Sequence, residues 1–518
     1  MFNTDDIITL SARLDKGFLE NFCKILLYKI VRRVLAISAF ALYTVSMDSH
    51  AENQLQNTLA LLRTATQNSP YQDRLYLVGG LIRDRLLGVP HTNDLDIVLE
   101  GDAPELALFL HKKGVALHYP VTYPRFGTAM VHVGTPGTEG SVVELVSARS
   151  ESYLPDSRKP DVQSGTLRED AFRRDFTLNT LMENLHTGEM LDLTGQGTTD
   201  LKNGVIRTPL EPRITFFDDP LRMLRAVRFA ARFGFTIEEE TCEAIRKEAT
   251  RLAPPTISHE RIHDEFVKIV KLPGSKARQG LEWLLELNLL EQFLPEMLPM
   301  VGCTQGNWHK WDVWTHTMVA LEALPDDAPL ETRLALLWHD IGKPSTRSEE
   351  NGAIRFYGHP KVGAEMVRTI MNHLKFSNDE IRAVTALVNL HMRPGDYRSE
   401  WIDATVRRFI RDCHPHLEQL FILVECDRST TNIPPSEAAN LPELKARIAE
   451  QNALMDVARL ISPLDGNEIM GILGIGSGAT LKHAKDYLTN QVIEGRLRER
   501  DKAEAEAMLR DWWAEQGR

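Results

Sequence analysis

The chain has 518 residues, 43% of them hydrophobic and 25% charged, and a formal net charge of −12. This balance excludes collagen-like, fibrous and wholly disordered proteins, and the length suits about three or four domains, each with its own core. A broadly basic nucleic-acid coat is excluded, although a local basic groove is not. The five cysteines (Cys23, Cys242, Cys303, Cys413 and Cys426) form no C-x-x-C pair. No disulfide framework or zinc ribbon is expected, and the sequence reads as that of a reduced, intracellular, cytoplasmic protein.

Val34–Met47 is uncharged and mostly apolar, and follows Lys24, Lys29, Arg32 and Arg33. The run falls short of the about 20 apolar residues that span a bilayer, and its basic lead is too long for an ordinary signal peptide. Residues 1–46 therefore read as a dispensable extension, either an amphipathic helix or a stretch upstream of a true start at Met47. No stable membrane association is expected. Leu75–Val78 reads as a strand, Leu81–Leu87 as a helix stopped by Gly88, and Leu95–Leu99 as a second strand. Val115–Leu117, Ala129–Val133 and Val142–Val146 are further strand candidates, so residues 70 to about 210 form an α/β or α+β unit. From about 215 onward, period-3.6 apolar spacing predicts helices almost to the end, the last over Glu494–Asp511.

Gly79-Gly80 stands between the first strand and its helix. Glycines there let a phosphate approach the backbone, and the helix N-terminus offers free N–H groups. Arg83, one turn on, would add a charged fork. Asp94 and Asp96 are two apart on the next strand and so share a face. Two carboxylates held together call for a cation, and Mg²⁺ is the natural one, able to activate a hydroxyl and stabilise a leaving pyrophosphate. Glu144, on a later strand, reads equally as a third carboxylate or as an exposed strand charge. Arg173-Arg174-Asp175 is a compact basic-acidic turn suited to phosphate.

Asp218-Asp219-Pro220 predicts a helix start. Arg222, Arg225, Arg228 and Arg232 then follow at spacings of three, three and four, on one face. Leu221, Leu224, Val227 and Phe229 pack elsewhere. The stripe suits triphosphate and RNA. Asp219 beside Arg222 complements an exocyclic amine next to a ring-nitrogen acceptor, the edge shared by cytosine and adenine, and opposes uracil and guanine.

With LVGGLIRDRLLG, NDLDIVLEG, RFGTA, RRDFTLNTLM, DLTGQGTTDLKNGVIR and DDPLRMLRAVRFAARFGF in order over about 160 residues, the sequence resembles the class II tRNA nucleotidyltransferase and bacterial poly(A) polymerase family. The resemblance implies a multidomain fold: a polymerase-β-like head, then an all-α neck, a helical bundle and a helical tail. It assigns the catalytic Mg²⁺ to Asp94 and Asp96. It assigns nucleotide contacts to Gly79, Gly80, Arg83, Arg174, Asp219, Arg222, Arg225 and Arg228. It implies addition of C and A to the 3′ end of tRNA from CTP and ATP, with an A-adding enzyme or a poly(A) polymerase as alternatives. Asp218 departs from the family's usual Glu-Asp pair, and Ser150–Glu169 occupies the place of the family's flexible loop.

A further ordered set, His316, His339-Asp340, His359, His391 and Asp427, resembles an HD-type phosphohydrolase domain. It implies a divalent transition-metal site on His316, His339, Asp340 and Asp427, and hydrolysis of phosphate esters. A nucleotide-signalling or protein-nucleotidylating enzyme also joins such a transferase to HD, but the base-reading helix speaks against it. Pro463–Met470 and Gly474–Gly478 resemble the family's C-terminal hairpin. The expected boundaries are 1–46 extension, 47–210 head, 211–295 neck and body, 296–432 HD domain, and 433–518 tRNA-binding tail.

Overall fold

The computed structural model describes residues 52–89, 95–152, 161–253, 255–306, 310–432, 440–454 and 460–516. Val34–Met47, Asp94 and Cys23 lie outside them. The described residues form two compact units. One runs to Asn203 and takes in Arg207–Glu211, and the other is Gly204–Ile206 with Pro212 onward. Among the described residues no helix is long and apolar enough to cross a membrane.

The first unit is built on a seven-stranded mixed sheet. Its strands are β1 (Leu75–Val78), β2 (Leu95–Leu99), β3 (Val121–Tyr123), β4 (Thr128–Val133), β5 (Ser141–Ser147), β8 (Met182–Asn184) and β9 (Met190–Leu191), in the order β3-β4-β5-β2-β1-β8-β9. A separate hairpin joins β6 (Arg149–Ser152) to β7 (Asp161–Ser164). Only β2 and β5 run parallel in the large sheet, and the helix Ala103–Lys112 lies in the crossover between them. One face of the sheet is closed by Leu77, Ile97, Val131, Val143 and Leu145, all fully buried. The alternation along β4 and β5 leaves the other face partly open, as a half-buried antiparallel edge requires.

Leu75–Val78 and Leu95–Leu99 are strands as their sequence suggests. Val115–Leu117 is not: only Ala116 forms a bridge, to Val133. Gly114, at φ 73°, turns the backbone at the end of the preceding helix, and the edge strand forms later, at Val121–Tyr123.

The second unit is mainly helical. The helix Leu221–Phe233 buries Leu224, Val227 and Phe229 and packs against His259–Val270 and Gly274–Glu286. Gly280 lets these last two helices meet closely, since a Cβ there would stand 2.7 Å from Ile269 Cγ2. The helices Val313–Glu322, Leu330–Trp338, His359–His373, Asn378–Leu390 and Leu417–Ser429 form a bundle around fully buried Trp338, Leu334 and Val388. Helices Asp403–Cys413, Asn440–Leu454, Gly466–Leu473, Ala479–Ile493 and Lys502–Glu515 complete the unit.

Two expectations of helix are corrected here. Arg347–Glu350 and Ala353–Phe356 form a hairpin, turned by Asn351 and Gly352 at positive φ. Glu494–Asp511 is not one helix: Gly495, at φ 74°, ends the preceding one, and Asp501 caps the next through the Glu504 amide.

Candidate active sites

The head site gathers around the end of β1. Gly79 has φ 78°, the left-handed region that favours glycine. A Cβ there would stand 3.4 Å from Asp96 Oδ2 and 4.0 Å from Arg174 Nη1. The turn, a carboxylate and a guanidinium therefore converge on one point. Gly80 opens the next helix, whose first amides have no acceptor within the helix. Asp94 lies outside the described residues, so the pair is seen through Asp96 alone. Glu144 sits directly across from Asp96 on β5 and shares its face.

The two arginines differ in setting. Arg83 is buried, donating from Nε to Asp84 Oδ1 at 2.6 Å and from Nη1 to Asn179 Oδ1 at 2.7 Å. It supports the glycine turn from beneath: its Nη2 lies 3.5 Å from where a Gly80 Cβ would be. Arg174 donates from Nε to Asp170 Oδ2 at 3.0 Å, and Arg173 holds the other oxygen at 2.5 Å. Burial opposes the Asp170 charge, but the Arg174 and Arg173 guanidiniums keep its carboxyl below the usual range. This fixed anion orients both arginines.

In the second unit, Asp219 stands just ahead of Leu221–Phe233 and accepts the Leu221 amide at 3.2 Å. Its other oxygen accepts from Arg261 Nη2 at 2.8 Å. Arg222 donates from Nη1 to Thr215 O at 3.3 Å. Arg228 is held by the buried Glu265 at 2.6 Å, with Arg225 4.0 Å from the same carboxylate. Burial opposes the Glu265 charge, yet Arg228, with Arg225 and Lys268, holds its carboxyl below the ordinary value. Arg261 and Glu265 escaped the sequence reading. Glu265 left a trace, a carboxylate on the apolar stripe of Ile262, Phe266 and Ile269. Arg261 left none, since it meets Asp219 only through helix packing.

The bundle brings His316, His339, Asp340, His359, His391 and Asp427 together. His316 Nε2 is 2.9 Å from Asp427 Oδ1, and His339 Nε2 is 3.1 Å from Asp340 Oδ2. His359 Nε2 is 3.4 Å from Asp340 Oδ1, and Lys343 Nζ is 2.7 Å from Asp340 Oδ2. The tautomers follow from what lies behind the rings. His339, His359 and His391 donate from Nδ1 to the carbonyls of Leu336, Phe356 and Val388 at 2.8, 2.9 and 2.7 Å. The Thr430 hydroxyl donates to Asp427 O at 2.7 Å and so accepts from His316 Nδ1 at 2.9 Å. In its neutral form each ring thus turns an Nε2 lone pair inward. His359 and His391 bring those lone pairs to 3.2 Å, an arrangement that demands a shared proton or a cation.

Charge points the same way. Against burial, His339 and Lys343 hold the Asp340 carboxyl well below its usual range, and hydrogen bonds from His316 and His339 do so for Asp427. Burial works to lower His339, but Asp340 and Asp427 raise it to about 10, whereas burial and the neighbouring His339 push His391 down to about 3. Two groups could each hold a metal ion: His316, His339 and Asp427, and Asp340, His359 and His391. The site opens into a cavity of about 440 Å³ that Arg355, Tyr357, Met392 and Arg428 help to line. His309 lies outside the described residues.

The mixed sheet thus sets a glycine turn over a strand carboxylate, and the helical unit after it gathers an imidazole–carboxylate cluster. Three family models match in the same order: the poly A polymerase head domain over residues 75–207, the probable RNA and SrmB-binding site of polymerase A over 234–300, and the HD domain over 309–429. The CC-adding tRNA nucleotidyltransferase of Thermus thermophilus is 33% identical over 443 residues, which span 84% of the present sequence and 93% of that protein. The A-adding tRNA nucleotidyltransferase of Deinococcus radiodurans is 36% identical over 324 residues, 60% of the present sequence and 72% of that protein. The Bacillus stearothermophilus CCA-adding enzyme in complex with CTP shares the fold, with a TM-score of 0.61 at 22% identity, over 90% of the present sequence and 99% of that enzyme. The chain belongs to the tRNA nucleotidyltransferase and poly(A) polymerase family.

Proposed function

We propose that the protein is a cytoplasmic enzyme that adds C and A to the 3′ end of tRNA from CTP and ATP, releasing pyrophosphate, and that its HD domain is a metal-dependent phosphohydrolase. The observation that carries the first activity is the convergence of Asp96, the Gly79 turn and Arg174. The acceptor 3′-oxygen bonds the α-phosphorus as the bond to the bridging oxygen breaks. Pyrophosphate keeps that electron pair, and the hydroxyl proton passes to water. Asp94 and Asp96 would hold Mg²⁺, which when bound supplies Lewis-acid stabilisation of the phosphoryl oxygens. The open glycine turn beside a carboxylate fits such an ion with its phosphates. Gly79, Gly80 and Arg174 receive the triphosphate, and Arg83 braces the turn. Asp219 and Arg222 read the base edge, with Arg225 and Arg228 as the cationic face beside them.

The CC-adding and A-adding relatives leave the order of addition as the decisive question. The test is incubation with tRNA ending before C74, after C75 or complete, with CTP and ATP supplied separately. Addition of all three nucleotides supports the proposal. Incorporation of one A after C75, with no C added to the shorter tRNA, would make this an A-adding enzyme, and unlimited A addition would make it a poly(A) polymerase.

In the HD domain the facing Nε2 lone pairs carry the metal assignment. His316, His339 and Asp427 would hold one divalent ion, and Asp340, His359 and His391 a second. Imidazole donors suit a transition ion such as Mn, Fe, Co, Ni or Zn better than Mg. Bound there, the metal supplies an activated water and a polarised phosphoryl oxygen. Lys343 neutralises Asp340 and faces the cavity, where an anionic ester would sit. We divide the protein functionally into head (47–210), neck and body (211–295), HD domain (296–432) and tRNA-binding tail (433–518), with 1–46 as an extension.

A further inference from the structure

Strand register places five residues in one lateral row across the head sheet: Val78 on β1, Asp96 on β2, Glu144 on β5, Met130 on β4 and Val121 on β3. Residues directly across from one another share a face. On the β1 side of Asp96 lie the Gly79 turn and Arg174, groups suited to phosphate. On the other side Glu144 is followed by apolar side chains open to solvent: Met130 at 44%, Val121 at 50%, and Val142, two residues before Glu144, at 52%. A contiguous exposed apolar strip of this kind marks a binding surface.

We propose that this strip, with Met130 and Val142 at its centre, seats the 3′-terminal nucleoside of the acceptor RNA. The inference rests on nucleotidyl transfer in the head. Phosphoryl transfer sets the entering and leaving oxygens roughly in line, on opposite sides of the phosphorus. Pyrophosphate departs on the Gly79 and Arg174 side, so the acceptor oxygen enters from the Glu144 and Met130 side. A cleft of about 420 Å³ lies there, floored by Met130 and Val142 and edged by Asp96, Glu144, Gln54 and Ser141. That volume falls in the range of small-ligand pockets, about 300–1,000 Å³. The wall is fixed: Gln54 donates to the Gly140 carbonyl, and Thr58 bonds Ser141 at 2.9 Å. A thioether beside a valine offers contact without hydrogen-bond selectivity. This suits an end whose terminal base changes with each addition.

The test uses the full-length protein carrying Met130→Ala with Val142→Ala, and a conservative Met130→Leu. KM is measured separately for tRNA lacking its 3′-terminal nucleotides and for CTP. Loss of the apolar contact should raise the acceptor KM roughly tenfold and leave the CTP KM within about twofold, with Met130→Leu close to wild type. An acceptor carrying 3′-terminal 4-thiouridine should crosslink on irradiation to the peptide spanning residues 119–147. An unchanged acceptor KM with a raised CTP KM would overturn the proposal and give the strip to the incoming nucleotide. A lowered Tm with both KM values unchanged would also overturn it, making the strip a packing surface for another part of the protein. A wild type that extends no RNA would sink nucleotidyl transfer itself, whereas a wild type that extends RNA beside an unaffected variant sinks the strip alone.

Discussion

Asp96 makes its case by position. It stands beside the glycine turn and directly across from Glu144, with partial exposure rather than core packing. Asp96→Ala should therefore abolish nucleotide addition and leave the thermal midpoint within a few degrees of wild type, read by labelled-CTP incorporation and by thermal melting. Near-normal incorporation by the folded variant would remove the carboxylate from the chemistry. Arg222→Ala should blunt the preference for CTP and ATP over UTP and GTP more than it weakens triphosphate binding, as competition between the four nucleotides would show. An unchanged order of preference would assign Arg222 to its bond with Thr215. The glycine turn, Asp96 and Arg222 could be nominated from the sequence because each proposed role rests on residues within one short segment. Arg261 could not, because it lies 42 residues from Asp219 and meets it only after the helices pack.

Helices and strands add a second level, where buried charge matters most. Glu265 is nearly inaccessible and serves Arg228, Arg225 and Lys268 together. Breaking a buried ion pair from one side costs about 3–5 kcal/mol, so Glu265→Gln should lower stability by an amount of that order in urea denaturation. It should also disorder the arginine face and weaken triphosphate binding. The pH dependence has a definite sign. The folded carboxyl releases its proton more readily than the unfolded one. Its stabilisation is thus full above the unfolded value of about 4.3 and fades as pH falls through the lower folded value. Wild type should lose stability across that acid window, and the Gln variant should lose less there. Strands formed by short apolar runs bounded by turn residues were legible at this scale, as at Leu75–Val78 and Leu95–Leu99. The hairpin at Arg347–Phe356 was missed although Asn351-Gly352 is a strong hairpin turn, because Arg347–Glu350 has no apolar residue to mark it as a strand opposite Ala353–Phe356.

At the scale of the molecule, Asp96 with the glycine turn lies in the first compact unit and the imidazole–carboxylate cluster in the second. Asp340→Ala should eliminate divalent-metal-stimulated hydrolysis of phosphate esters or 2′,3′-cyclic phosphates and spare nucleotide addition, while Asp96→Ala should do the reverse. Elemental analysis of the purified protein should find a transition metal that the Asp340 variant lacks. Absence of metal from the wild type, with no hydrolysis under any divalent ion, would reduce the bundle to a structural brace. The six clustered residues were readable in order from the sequence, but their division into two candidate metal-holding groups was not. That division depends on how the bundle helices bring the side chains together, while the carbonyls of Leu336, Phe356 and Val388 fix from behind which ring nitrogen faces inward.

The buried Arg333 sets where this protein can be cut. Its guanidinium donates to five backbone carbonyls, those of Ala328, Pro325 and Asp326 nearby and those of Val270 and Leu272 some sixty residues earlier. Close by, Gly274 lies so near the backbone of Leu321 that a Cβ would stand 2.2 Å from its carbonyl oxygen. A fragment begun at residue 309, where the HD family match starts, would keep the imidazole–carboxylate cluster and yet strand a charged group without two of its acceptors. A piece that keeps all five acceptors begins upstream of Val270, so a cut at the start of the HD family match would break the bonds from Arg333 to Val270 and Leu272. Fragments starting at 309 and near 255, compared for soluble yield and cooperative melting, should differ sharply in favour of the longer.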